Sequence, residues 1–592
     1  MQSVMEELTI SLTGRCNSLS SQWSSCKDPM CTEVNVNSVA GSAHPVSGAQ
    51  ALATGAIEAG VFMVTGYPGS PATAVINHIL KMTSAEDVRV EWTSNEKVAI
   101  ELAFGASLGG RRSLLCVKSV GLNVALDPLM VYNLSGCRAG LVILVGDDPE
   151  GWGSQNEQDS RILALAAELP LLEPTSVTDA RVSVNEAFQL SEEMHLPVVV
   201  RFTRALAEAK EEMVAPAGGE ARKLVQQVSE DQRPHSIVLP VDVVPLHRRL
   251  IENLHLVRTG FEQSALNCRL GGGSRGIIAV GFVLQKLIDA LGRTMPPGLA
   301  LLGLGTPYPL PENLVASFMQ NLDVVLVLEE TAPVAEQAVQ AAAQRAGLCL
   351  PVYGRLSGHV PVAGELLASH LTQAVQGLLP ELTVAATTDE RKPMPSRVPL
   401  CEGCPYTPTF AALLDVMSQM GGRDRFIVVG DPGCMVRSQV SMPDLIDVKH
   451  GLGSSIGMAA GIAASLANNG GSGHSRRVVA LAGDSSFLHT GLNGLIDAAR
   501  MGVQLLAIIL DNGTVALTGG QPHPGTPRDA RGQARPAVDL AVLAKAAGGE
   551  VVYAVDVNDG EQLRRAMRSG LQHAGVAVII ASGTCPPGAV KG

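Results

Sequence analysis

Two short polar segments in the last third of the chain could do chemistry together. Gly483-Asp484-Ser485 follows the apolar run 478–482, and Asp511-Asn512-Gly513-Thr514 follows the apolar run 505–510. Each run reads as a buried strand. Between them a helical pattern places Leu488, Leu492, Leu495, Ile496 and Ala499 on one face. Parallel strands joined by one crossover helix end at the same sheet edge. Asp484, the Asn512 amide and a backbone carbonyl near Thr514 can then share one cation. Hard oxygen ligands suit Mg2+, which keeps phosphate oxygens in its shell. The pattern reads as a clamp for a diphosphate held by Mg2+. Gly-Asp and Asp-Asn are also ordinary turn dipeptides. Their placement after two successive strands favours the clamp.

Four cysteines accompany this region. Cys401-x-x-Cys404 opens it, Cys434 follows Gly430-Asp431-Pro432-Gly433, and Cys585 follows the apolar run 576–581. C-x-x-C by itself is a redox dithiol, a zinc knuckle or a chance pair. Cys434 or Cys585 alone reads as a small buried side chain. Cys16, Cys26 and Cys31 lack a fourth ligand at zinc-site spacing. A distant carboxylate, Glu96 in Ser94-Asn95-Glu96-Lys97, follows a strand-like segment and opens an apolar helix. By itself it is a first-turn Glu, with Ser94 or Asn95 as the cap.

The elements that must position these residues are of α/β type. The 592 residues carry 62 glycines, 46% apolar residues and a net charge of −12. This length suggests several domains. The acidic balance argues against general nucleic-acid binding. No apolar run is long enough to span a bilayer, and the N-terminus lacks a secretory signal pattern. Eleven cysteines in a long chain fit reduced thiols and a cytoplasmic location better than a disulfide framework. Residues 1–45 read as a loose extension. Residues 46–210 form one doubly wound unit, 211–273 a connector with one helix over 246–257, and 274–380 a second α/β unit. A linker at 381–396 precedes a third unit at 397–592.

The Gly483-Asp484-Ser485 to Asn512 pattern resembles the thiamine diphosphate motif. With Thr518-Gly519-Gly520-Gln521-Pro522-His523, it resembles the 2-oxoacid:ferredoxin oxidoreductases, most of all the indolepyruvate-type alpha subunits. Gly66-Tyr67-Pro68-Gly69-Ser70-Pro71, Asn95-Glu96-Lys97-Val98-Ala99 and Ser154-Gln155-Asn156-Glu157-Gln158-Asp159-Ser160-Arg161 match as well. The likeness runs over about residues 46–592. It implies three doubly wound units: pyrimidine-binding, transketolase C-terminal-like and diphosphate-binding.

That resemblance assigns roles. Glu96 activates the cofactor through its pyrimidine ring. Tyr67, Pro68, Gly69, Ser70, Asn123, Gly483, Ser485, Gly520 and Gln521 line the cofactor. Asp484, Asn512 and Thr514 hold Mg2+. Cys401, Cys404, Cys434 and Cys585 hold one 4Fe–4S cluster. His489 and His523 are proton donors or carboxylate partners. Two positions depart from the family pattern, Ser119 and Tyr406, where histidines are expected. The implied reaction is oxidative decarboxylation of an aryl or branched 2-oxo acid to an acyl-coenzyme A. Its partners are a separate small subunit, an external ferredoxin or flavin/iron–sulfur carrier, and a second copy of this chain completing the interface. The sequence shows no ferredoxin-like tail after Cys585, so electrons are expected to leave through another protein. A non-oxidative decarboxylase or carboligase and a non-catalytic scaffold subunit are the alternatives.

Overall fold

Strand Leu141–Asp147 is buried along its whole length, as a strand covered on both faces must be. It lies in a six-stranded parallel sheet ordered Arg89–Trp92, Met63–Gly66, Ser113–Lys118, Leu141–Asp147, Val198–Thr203, Leu171–Leu172. The computed structural model describes residues 43–214, 236–380, 398–467 and 476–586. Cys16, Cys26, Cys31 and the linker expected at 381–396 lie outside the described residues. A five-stranded sheet and a second six-stranded parallel sheet follow, so the α/β class holds.

In the first sheet the chain steps from Met63–Gly66 outward to Arg89–Trp92. It then returns to the other side of Met63–Gly66 as Ser113–Lys118. The third sheet repeats this reversal. Its order is Val448–Lys449, Phe426–Gly430, Arg477–Gly483, Leu505–Asp511, Val576–Ser582, Val551–Asp556. Such reversals open a crevice beyond the carboxyl ends of the strands.

The region read as a connector is mostly structure belonging to its neighbours. Lys210–Val214 pairs antiparallel with Ala43–Ser47, across both expected domain boundaries. Helix Val243–Phe261 turns Leu250, Leu254, Val257 and Phe261 into the first unit's core. That spacing is one helical face. Asn267–Gly271 is the antiparallel edge strand of the middle sheet. Its mixed residues suit an edge, and for that reason it did not stand out as a buried strand. The helix after Asp484 also differs from its expected face. A π-helical turn at Phe487–Gly491 shifts the register. Ile496 is therefore 41% exposed and Ala498 is buried instead.

The first and middle units are locked by charges. Arg161 binds Asp159 at 2.6 Å, Glu329 at 2.7 Å and the Ala332 carbonyl at 2.8 Å. Arg201 binds Asp147 at 2.7 Å, Glu173 at 2.6 Å and the Glu330 carbonyl at 2.7 Å. Both guanidinium groups are buried. Burial pushes the Asp147 and Glu173 carboxyls up. Burial also opposes ionisation of Asp159, but Arg161 and Arg201 outweigh it and hold that carboxyl well below its usual range. The polar run ending at Arg161 is thus anchored at its C-terminal end. Removing one partner strands the others in a low-dielectric interior. Arg161→Met is expected to cost about 3–5 kcal/mol, read as a lowered thermal midpoint by calorimetry.

Candidate functional site

The two reversal edges face each other within one chain. Tyr67, in the turn after Met63–Gly66, shares a 2.6 Å hydrogen bond with Ser485, just beyond Arg477–Gly483. Glu96 Oε2 lies 2.8 Å from His489 Nε2. Asn95 accepts from the Val98 N–H and so caps helix Glu96–Leu108, while its side-chain amide donates to the His489 carbonyl at 3.0 Å. One side chain thus caps the helix and also reaches the third unit. The Tyr67 ring meets the His489 ring edge-on at 5.0 Å. Arg531 donates to the Thr83 and Val88 carbonyls at 2.7 and 2.9 Å, tying the loop after Asn512 to the first unit. One chain supplies both edges of this contact.

Asp484 is the focus of the third unit's edge. Its carboxylate accepts from the backbone N–H groups of Ser485 (2.7 Å), Asn512 (3.2 Å) and Gly513 (2.8 Å). The end of the Asn512 carboxamide lies 2.8 Å from Thr514 O and 3.2 Å from Asp484 Oδ2, and with its nitrogen on that side it donates to both. Cis ligands of an octahedral Mg2+ at 2.0–2.1 Å stand about 2.9 Å apart. With its oxygen turned to that side, the Asn512 carboxamide would stand close to that spacing from Thr514 O and Asp484 Oδ2. His523 Nε2 lies 3.1 Å from Asp484 Oδ2, off the line a hydrogen bond requires. Gly520 and Gln521 shape the loop. Gly519 and Gly520 carry positive φ, and the Gln521 carbonyl accepts from Thr514 Oγ1 at 3.2 Å.

Other expected residues divide. Pro68 and Gly69 are buried in the turn, and Ser70 is exposed. Asn123 does not join the contact network: it is exposed and pairs with Gln158, because it faces the polar segment before Asp159. Ser119 is buried. Tyr406 is buried, and its hydroxyl donates to the Leu510 carbonyl at 3.3 Å. Three residues were not read from the sequence. Asp431 accepts from Ser486 Oγ at 2.8 Å and from the Ser455 N–H, and burial pushes its carboxyl to about 6. Ser486 also accepts from the Gly453 N–H at 3.0 Å. Lys118 lays its stem over Gly69 and donates to the Gly153 carbonyl at 3.1 Å; burial pulls its amine down. Asp431 and Lys118 each end or follow a strand at a reversal, a signal visible only once strand order is known.

Cys401, Cys404, Cys434 and Cys585 line one cavity of about 120 Å³, together with Tyr406, Arg437 and Asn512. Burial raises the Cys404 and Cys585 thiols and pushes Cys434 to about 11. Among the described residues no three His, Cys, Asp or Glu side chains converge on a single-ion position.

Residues 431–581 match the family described as thiamine pyrophosphate enzyme, C-terminal TPP binding domain. Residues 54–257 match pyruvate flavodoxin/ferredoxin oxidoreductase, thiamine diphosphate-binding. Indolepyruvate oxidoreductase subunit IorA of Methanothermobacter marburgensis is 36% identical over 559 residues, covering 92% of this chain and 87% of that protein. The chain belongs to the IorA family. IorA of Archaeoglobus fulgidus is 33% identical over 552 residues, covering 91% and 86%. The 2-oxoglutarate synthase subunit KorB of the same organism is 28% identical over 193 residues, covering 31% and 69%. The two matched family regions meet at the Tyr67–Ser485 and Glu96–His489 contacts.

Gly121 packs against Glu96: a Cβ there would stand 2.6 Å from Glu96 Oε1. The obstructed atom is the movable end of a side chain. Gly121→Ala is therefore expected to leave the thermal midpoint near that of the parent. It should break the Glu96–His489 pair, read as a change in the His489 ring nitrogen shifts by NMR.

Proposed function

We propose that this chain is the thiamine diphosphate-binding subunit of an oxidoreductase that converts an aryl or branched 2-oxo acid to its acyl-coenzyme A. Electrons pass through one 4Fe–4S cluster on Cys401, Cys404, Cys434 and Cys585 to an external ferredoxin or flavin/iron–sulfur carrier. A separate small subunit completes the enzyme. The observation that carries this reading is Asn512. Its carboxamide stands beside Asp484 and the Thr514 carbonyl and also forms part of the wall of the cysteine cavity.

Asp484, Asn512 and the Thr514 carbonyl hold Mg2+, which holds the diphosphate. Gly483 and Ser485 line the same edge, and Tyr67 braces Ser485. When bound, thiamine diphosphate supplies the nucleophilic carbon and the electron sink that decarboxylation needs. Glu96 holds a proton at the pyrimidine ring, and His489 orients its carboxylate. Burial of Glu96, His489 and Asp484 keeps water from that proton. Lys118, at the same edge, offers a cation to the substrate carboxylate. Four cysteines lining one cavity match the thiolate count that a 4Fe–4S cluster needs.

Three measurements test this. Asp484→Ala is expected to abolish thiamine diphosphate binding by calorimetry; unchanged affinity would sink the cation assignment. Glu96→Gln is expected to keep the cofactor yet lose exchange of its C2 proton by NMR. Protein purified without oxygen is expected to hold about four iron atoms, lost in Cys404→Ala, and to reduce a dye only with a 2-oxo acid present. An iron-free protein releasing an aldehyde with no acceptor would reject the oxidoreductase for the non-oxidative decarboxylase.

A further inference from the structure

Arg437 has no part in the cofactor roles above, yet its guanidinium reaches the cysteines. Gly433, with a φ of 127°, opens a single 3-10 turn, Cys434–Arg437. Three residues per turn eclipse positions i and i+3, so Cys434 and Arg437 leave the same side of the turn. Nη1 of Arg437 donates to Cys401 Sγ at 3.8 Å. Met435, in the same turn, is buried, and its sulfur accepts from the Asp431 N–H at 3.2 Å. Asp431 in turn accepts from Ser486 Oγ and from the Ser455 N–H. The turn that carries the guanidinium is therefore pinned to the sheet edge.

The surroundings leave that charge unanswered. Among the residues that line the cysteine cavity, Arg437 is the one base, and no carboxylate lines it. Leu400, Leu517 and Pro586 make other parts of the wall apolar. Among the described residues the guanidinium has no carboxylate partner; the Cys401 sulfur is its hydrogen-bond acceptor. Arg437 is also partly withdrawn from water. A guanidinium stays ionised at any working pH and offers several N–H donors. Such a cation against an apolar cavity suits an anion inside it.

We propose that Arg437 is the residue that sets the reduction potential of the cluster on Cys401, Cys404, Cys434 and Cys585, its fixed positive charge raising the cluster's affinity for an electron. The inference rests on the oxidoreductase reading above. A cluster held by four thiolates is anionic and gains one more negative charge on reduction. A cation beside it favours the more negative state, and apolar walls weaken the screening. Charge and hydrogen bonding around the sulfurs are among the levers a protein has on such a potential. The step concerned is the uptake of one electron, released by the decarboxylated substrate, with no proton transferred to the cluster. The external carrier then removes that electron. Arg437 acts on this step through the cluster and touches neither the cofactor nor the substrate.

The test is a potentiometric titration of protein purified without oxygen, read by electron paramagnetic resonance of the reduced cluster. Arg437→Gln is expected to keep about four iron atoms. Its reduction equilibrium is expected to move about tenfold toward the oxidised state, which is about 59 mV for one electron. Arg437→Lys keeps the charge and is expected to recover most of that shift. An unchanged midpoint in Arg437→Gln with its iron intact overturns the proposal, whatever happens to the KM for the carrier. An equal fall in both variants also overturns it, because packing rather than charge would then be the cause. A second measurement needs no variant. In wild-type protein carrying isotopically labelled arginine, pulsed electron paramagnetic resonance of the reduced cluster is expected to show a coupling to the labelled guanidinium nitrogen. Its absence overturns the proposal. Wild-type protein without iron overturns the oxidoreductase reading and this proposal together. Iron present without the coupling or the shift overturns this proposal alone.

Discussion

The Asp484 carboxylate joins the ends of two strands. Its oxygens accept N–H groups from Ser485 on one side and from Asn512 and Gly513 on the other. A buried carboxylate is costly unless its charge is met. Here it is met by three fixed backbone dipoles. The loop from Asn512 to Gln521 takes its course from that demand. Its last residue returns a carbonyl to Thr514, and its three positive-φ glycines, Gly513, Gly519 and Gly520, allow the return.

Around this centre the molecule uses two unlike kinds of adhesion. The junction of the first and middle units is a dense charge network about Arg161 and Arg201, withdrawn from water. Such a network adds little net stability over apolar packing but penalises any misalignment. The junction of the first and third units is sparser. Tyr67 with Ser485, Asn95 and Glu96 with His489, and Arg531 on the Thr83 and Val88 carbonyls are single contacts at the rim of a crevice. A rigid joint on one side and a thinly bridged one on the other suit a site that must admit a large cofactor between two sheets.

The cysteine cavity shares a wall with that crevice. Tyr406 and Asn512 stand between them, and the Tyr406 hydroxyl reaches the carbonyl of Leu510, two residues before Asn512. A histidine at position 406 would bring a titratable group to this wall. Tyr406 instead brings a phenol whose ionisation burial suppresses. The departure at 406 therefore changes the wall's charge and leaves its shape filled.

Much of this was legible in the residues. Buried parallel strands announce themselves as unbroken apolar runs, so Leu141–Asp147, Arg477–Gly483 and Leu505–Asp511 were readable, and with them the α/β class. Gly-Asp and Asp-Asn after two such runs placed Asp484 and Asn512 on one edge, since parallel strands all end the same way. Edge strand Asn267–Gly271 passed as connector, because an edge strand keeps mixed composition, whereas the helix expected over 246–257 is present as Val243–Phe261 and packs on the first unit. The buried state of Arg161 was hidden too, since a charged side chain shows its partners only when distant segments meet. Strand order decided what spacing cannot: which strand ends flank a reversal, and hence that Asp431 and Lys118 stand at the site while Asn123 does not. The π-helical turn decided which face of the following helix is buried. The sequence by itself determined the local elements and the chemistry of their ends, because both follow from neighbours along the chain. Only the tertiary structure decided that Glu96 meets His489 and that Asn512 stands beside Asp484 and also walls the cysteine cavity, because those contacts depend on how separate elements pack.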